Sequence, residues 1–226
     1  MLAWFWPAEL AFALAAYVAF DGFGLGVGIL SGFAASSSRR DALIASISPR
    51  GDGAGTSLVV AGTVLFGLFP TLRSVSLTPF YAPVSAMLAA LTLRAIALEW
   101  RPKRRETRGW YDGLLFAASL VAAFAQGVTA GMCARNIPLE RAPSIGDEFA
   151  WATIFPLWSG IGAVLCYALL GAGWLVIEGD ADARRFGSTA LDRLTPLTIA
   201  VLAAMFVAAL VTHLPFETRL QQRNRL

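Results

Sequence analysis

Six apolar runs, each near the length that crosses a bilayer, constrain this chain more than any motif in it. They cover residues 8–33, 56–72, 79–98, 113–133, 152–177 and 194–214. A spanning helix needs about 20 apolar residues, because each residue advances only ~1.5 Å through ~30 Å of hydrocarbon. Lipid offers no partner to an unpaired backbone group, so helix is the state that satisfies these segments. Only 15% of the 226 residues are charged, against about 25% in a soluble domain. The expectation is an all-α integral membrane protein of about six transmembrane helices, four packed as a bundle with two further helices. Residues 1–226 then form a single transmembrane domain. Trp4, Trp6, Trp100, Trp110 and Trp151 fall at the ends of runs, where interfacial aromatics collect.

The basic residues set the orientation. Arg39, Arg40 and Arg50 follow the first run, Arg101, Lys103, Arg104, Arg105 and Arg108 the third, and Arg184, Arg185 and Arg193 the fifth. The alternate loops hold only Arg73, Arg135 and Arg141. Cytoplasmic loops carry the excess of Lys and Arg, so the N-terminus is expected outside and the three basic loops in the cytoplasm. The pI near 9.2 reflects this pattern and does not point to nucleic acid. Arg219, Arg223 and Arg225 run against the pattern, because six spans return the tail to the outside. The first basic residue, Arg39, follows the first run, whereas a signal peptide opens with a positive segment. The first run is therefore expected to stay in the protein. Cys133 and Cys166 form no CxxC pair and are read as packing residues.

The polar residues inside the runs carry the functional reading. Asp21 lies deep in the first run, and a carboxylate at a helix centre costs roughly 2.5–3.5 kcal/mol on insertion scales. It has two readings, a structural hydrogen-bonded carboxylate or a member of a proton path or polar cavity. Gly22, Gly26 and Gly28 belong to the glycine-rich stretch behind it, whose four-residue spacings let another helix approach closely. Asp52 precedes the second run and is placed either as a helix cap or, with Asp21, at a cytoplasmic-side polar entrance. Arg94 can snorkel or pair with Asp21, Asp112 or Glu99. Arg101 joins this polar set at the third run's end. Ser119 and Gln126, seven residues apart, share one face of the fourth run and are read as interhelical hydrogen-bonding groups.

Several chemistries lack their residues. His213 is the sole histidine, so a bis-His haem within this chain is excluded. Met87, Met132 and Met205 are read as packing residues. No catalytic residue set, zinc-ligand spacing or P-loop is present, so neither a catalytic nor a metal site is assigned.

Five blocks, in order along the chain, resemble one family. They are Tyr17 to Gly28 (YVAFDGFGLGVG), Ala61 to Pro70 (AGTVLFGLFP), Arg94 to Arg101 (RAIALEWR), Trp110-Tyr111-Asp112 with Ser119 and Ala123 to Gly127, and Tyr167 to Leu175 (YALLGAGWL). Together they resemble subunit II of the cytochrome bd-type quinol oxidases. The resemblance implies a haem-free subunit of a terminal oxidase in the bacterial inner membrane, in a complex that oxidises quinol and reduces dioxygen to water. Haems b and d and the quinol site are then expected in the partner, subunit I, forming a heterodimer. Contacts with membrane lipids, small accessory subunits and a structural quinone or lipid are compatible with it. By matching position, Asp21, Asp52 and Glu99 become candidates for a proton route from the cytoplasm, with Arg94 nearby.

The chain departs from the family pattern in ways that matter. Gly24 stands where the family usually has a second Asp. Around Asp52 the family's tryptophans, Asn and Glu are replaced by small or hydroxyl residues, including Gly55. Family members usually have eight or more spans. These departures leave a second reading open, a diverged scaffold that conducts no protons. A small transporter or channel is the third, although no broken helix or inverted repeat marks a substrate site.

Overall fold

A computed structural model describes residues 21–47, 78–101, 107–134 and 147–213. The run at 56–72, the opening of the first run, Asp52, Trp4, Trp6 and the tail lie outside the described residues. What is described is helical, with no strand among the described residues. The elements are α1 (Asp21–Ser31), α2 (Ser37–Ala45), α3 (Thr78–Trp100), α4 (Arg108–Ala134), a 3₁₀ turn (Asp147–Ala152), α5 (Ile154–Glu178) and α6 (Ala181–His213).

Four of these, α3 to α6, are long and apolar enough to cross a membrane. At 27 and 25 residues, α4 and α5 reach roughly 40 Å, more than the hydrocarbon thickness. The sequence places residues 181–193 in a loop before the sixth run, whereas the structure makes them the first turns of α6. Asp180 explains the early start. Its carboxylate accepts from the Ala183 backbone N–H at 2.8 Å, which satisfies an otherwise orphaned helix donor. At 33 residues, α6 reaches roughly 50 Å, so its polar first turns extend beyond any single bilayer crossing. A second difference is α2, a helix within the basic stretch that the sequence places as a loop between the first two runs. Ser36 caps it by accepting from the Arg39 N–H at 3.2 Å. Its apolar Leu43 and Ile44 are buried.

Glycine decides how the helices meet. α1 runs between α5 on one side and α3 with α4 on the other. A side chain at Gly26 would strike the Tyr167 carbonyl and the Gly171 backbone of α5, so the two backbones touch directly there. On the other face, Gly24 faces Arg94 of α3 and Gly28 faces Ser119 of α4. Between α4 and α5, Gly131 admits Ser159 and Pro156. Such contacts bring helices close enough for dispersion to accumulate where no hydrophobic drive separates helix from lipid.

The core is accordingly built from small residues and short aliphatics. Leu25, Ile29, Ala90, Ala122, Ala123, Tyr167 and Ala168 form one cluster. Val27, Leu30, Leu43, Ala172, Leu175 and Ala183 form another, toward α2 and the start of α6. Burial is uneven. α6 keeps Ile199, Phe206 and Val207 more than half exposed, an apolar surface suited to lipid or a membrane partner rather than water.

Candidate functional site

The polar residues of the four central helices gather in two layers. The inner layer is an ion pair between α1 and α3. Arg94 Nη1 donates to Asp21 Oδ1 at 2.6 Å, with the two side chains 12% and 5% exposed. Of the three partners the sequence allows Arg94, the structure selects Asp21. The reason is steric as well as electrostatic. Gly24 lies one turn beyond Asp21, and its missing Cβ leaves the space that the Arg94 guanidinium fills. Burial removes water from both groups, so mutual pairing is what makes either charge tolerable there.

A neutral pair lies beside the ionic one. The Tyr167 hydroxyl donates to Gln126 Oε1 at 2.5 Å, joining α5 to α4, while the Tyr167 ring packs against Gly22. Tyr167 was not singled out among the site residues in the sequence. It lies within the last family-like block, and a tyrosine among alanines and glycines there is the signal that marks it. Ser119, seven residues before Gln126, is fully buried and sits against Gly28 rather than beside Tyr167.

The outer layer lies where α1, α2, α3 and α4 end or begin. Arg101 Nε donates to Asp112 Oδ1 at 2.5 Å, and its Nη2 donates to Asp41 of α2. Burial opposes the Arg101 charge, yet the bonds to Asp112 and Asp41 outweigh it and raise its pKa above the ordinary value. Arg108 Nη1 reaches the other Asp41 oxygen at 3.0 Å. Arg40 approaches Asp112 at 3.4 Å and donates to the Ser31 and Ala34 carbonyls. Ser31 is the last residue of α1, so the bond to its carbonyl makes Arg40 a C-terminal cap of that helix, while Ala34 belongs to the turn that follows. Outside the cluster, Arg39 grips Asp182 of α6 through two bonds at 2.9 and 3.0 Å. In this outer layer, Arg40, Asp41 and Arg108 are residues that sequence reasoning did not assign to the site. Arg40 and Asp41 gain their role only once α2 folds and presents them to α3 and α4.

The remaining sequence candidates separate. Glu99 is exposed on α3, away from the burial that holds Asp21 and Arg94. Gly22, Gly26 and Gly28 all sit at helix contacts. No group of three or more His, Cys, Asp or Glu side chains that could hold a metal occurs among the described residues. Chemically, the two layers hold buried charge in compensated pairs and tie α1 and α2 to the helices around them.

The profile of the cytochrome bd terminal oxidase subunit II family matches residues 2–220. The chain is 28% identical over 217 residues to the cytochrome bd-I ubiquinol oxidase subunit 2 of Escherichia coli K12, covering 92% of this chain and 57% of that protein. It is 30% identical over 185 residues to a probable cytochrome oxidase subunit 2 of Haemophilus influenzae, covering 78% of this chain and 49% of the relative. It is also 23% identical over 210 residues to the cytochrome bd ubiquinol oxidase subunit 2 of Bacillus subtilis, covering 91% and 60%. The chain thus spans about half to three-fifths of the length of these relatives. With nearly its whole length matched by the family profile, this chain belongs to the cytochrome bd terminal oxidase subunit II family.

Proposed function

We propose that this chain is a haem-free subunit of a cytochrome bd-type quinol oxidase in the bacterial inner membrane. It supports a haem-bearing partner that oxidises quinol and reduces dioxygen to water. The observation that carries this reading is the family membership, joined to the pairing of Asp21 and Asp112 with arginine. A carboxylate committed to a guanidinium at hydrogen-bond distance favours scaffolding over proton transfer, because giving it a proton dissolves the pair. The lone His213 fits the assignment of the haems to the partner. The basic ends of the helices face the cytoplasm in this reading. The apolar groove of about 370 Å³ lined by Pro83, Ala86, Phe124, Val128 and Trp151 is the place for a structural lipid or quinone.

A second reading, a proton route from the cytoplasm through Asp21, Asp52 and Glu99, is favoured by the Tyr167–Gln126 pair near the inner ion pair. The test is affinity purification of the chain from native membrane, with visible spectra of the eluate. Haem bands that co-purify are expected, and an eluate without them overturns the assignment. Asp21→Asn and Asp52→Asn then separate the two readings. Unchanged turnover in every assembled complex supports the scaffold, and a loss of oxygen consumption in an assembled complex supports the proton route.

A further inference from the structure

α2 has only nine residues, yet it is tied to every other long helix and to α1. Arg39 pairs with Asp182 of α6. Arg40 donates to the Ser31 carbonyl at the end of α1 and approaches Asp112 of α4. Asp41 accepts from Arg101, next to the end of α3, and from Arg108 of α4. These three consecutive charges form a rim. Leu43 and Ile44 are buried and enter different apolar clusters. Leu43 joins Val27 and Leu30 of α1, Leu175 of α5 and Ala183 of α6. Ile44 packs with Ala97 of α3 and Leu115 of α4, both fully buried.

Helix register fixes where this second cluster lies. Ala97 is three residues after Arg94 and four before Arg101. Leu115 is three after Asp112 and four before Ser119, and Ile44 is three after Asp41. Steps of three or four residues keep one helix face and advance about 4.5–6 Å. Arg101 joins Asp41 and Asp112 in the outer layer, so Ile44, Ala97 and Leu115 form the layer immediately inside it. Arg94, which holds Asp21, and Ser119 come next. Between Asp21 and Ser31, and between Asp112 and Ser119, every residue is apolar or glycine. Between Arg94 and Arg101 the one polar residue is Glu99, which is exposed. A packed apolar layer of this kind offers no proton acceptor and no room for a chain of water, and apolar constrictions exclude water by dewetting.

We propose that α2 is a plug that bars water and protons on its own side of the membrane from the Asp21–Arg94 pair, with Leu43 and Ile44 as the seal and Arg39, Arg40 and Asp41 as the latch. The side is the cytoplasm, a clause that rests on the orientation proposed above. The plug deepens the scaffold reading, because a pair sealed in this way exchanges no proton with the cytoplasm while α2 stays docked. The Arg39–Asp182 bond and Asp41 are partly exposed, whereas the seal is dry. The latch is therefore the part that solvent and salt weaken first.

The test is thiol accessibility in the assembled complex. Ser119→Cys places a thiol just inside the seal. A charged, water-borne methanethiosulfonate reagent is applied to sealed membrane vesicles of each orientation. Labelling at residue 119 is read by peptide mass, which separates it from Cys133 and Cys166. With α2 native, residue 119 should resist the reagent from the cytoplasmic face and react fully after denaturation. Ile44→Ala should raise its labelling rate from that face by about 30-fold or more, the change in undocked fraction that loss of a buried isoleucine side chain implies. Asp41→Asn, which loosens the latch without entering the seal, should change the rate in the same direction. Labelling as fast as that of a freely exposed thiol with α2 native overturns the plug, and this measurement stands even if a variant fails to assemble. An unchanged rate in both variants also overturns it. Access gained only from the opposite face supports the plug and overturns the orientation. Haem co-purification is read separately, so loss of the oxidase assignment and loss of the plug give different results.

Discussion

Replacing Asp21 by Asn should damage this protein more than its single-atom change suggests. The substitution leaves the Arg94 guanidinium charged, 12% exposed and without a carboxylate. Breaking a buried pair from one side costs about 3–5 kcal/mol. The Asn carbonyl still accepts one hydrogen bond, so the low end applies, about 3 kcal/mol, or roughly 100-fold in the folding equilibrium. Arg94→Gln should cost less, because an orphaned carboxyl sheds its charge by taking a proton and a guanidinium cannot. The double variant carries two neutral amides and leaves no buried charge. It should therefore recover about 2 kcal/mol or more relative to the sum of the single changes, within the range seen for coupled neighbours. The assay is a double-mutant cycle on the detergent-solubilised complex, read as the denaturant midpoint for loss of assembled complex. Additive effects of the two substitutions, or an Asp21→Asn complex within about 0.5 kcal/mol of native, would refute the assignment of Arg94 to Asp21.

Gly26→Leu should abolish assembly, because its side chain meets the Tyr167 carbonyl and Gly171 backbone of α5, neither of which can move aside as a side chain can; recovery of complex from membranes reads this. Gly113→Ala should leave assembly intact or raise stability by up to about 1 kcal/mol through helix propensity, since a Cβ there meets nothing within 4 Å; the same recovery and denaturant midpoint check it. Tyr167→Phe removes the bond to Gln126 and should cost roughly 0.6–2 kcal/mol, the range for hydrogen bonds between membrane helices, seen as a lowered midpoint with assembly retained. Arg101→Gln removes the group shared by Asp112 and Asp41 and leaves them to Arg40 and Arg108 alone; limited proteolysis should then cut near α2 faster than in the native complex.

The helical class, the apolar runs and the need for buried glycines and paired charge were legible in the sequence, because bilayer thickness and backbone hydrogen bonding leave a spanning segment little choice. Local pattern also marked Asp21, Arg94, Arg101, Asp112, Ser119 and Gln126 as costly or polar groups in apolar surroundings. It could not say which of them meet. Arg94 had three carboxylates within reason, and Asp21 became its partner only because Gly24 clears the space between α1 and α3. Asp112 was one of those three, yet it faces Arg101 and Arg40 instead. Arg40 and Asp41 were invisible as site residues, since their role depends on a nine-residue helix whose own apolar residues are too few to announce it. Ser119 and Gln126 share a helix face, but Gln126 finds Tyr167 while Ser119 turns to Gly28. Composition and periodicity determine that a charge must be paired in the membrane. Which charge it finds is decided by helix contacts a few ångströms wide, set by glycines whose partners lie up to about 145 residues away along the chain.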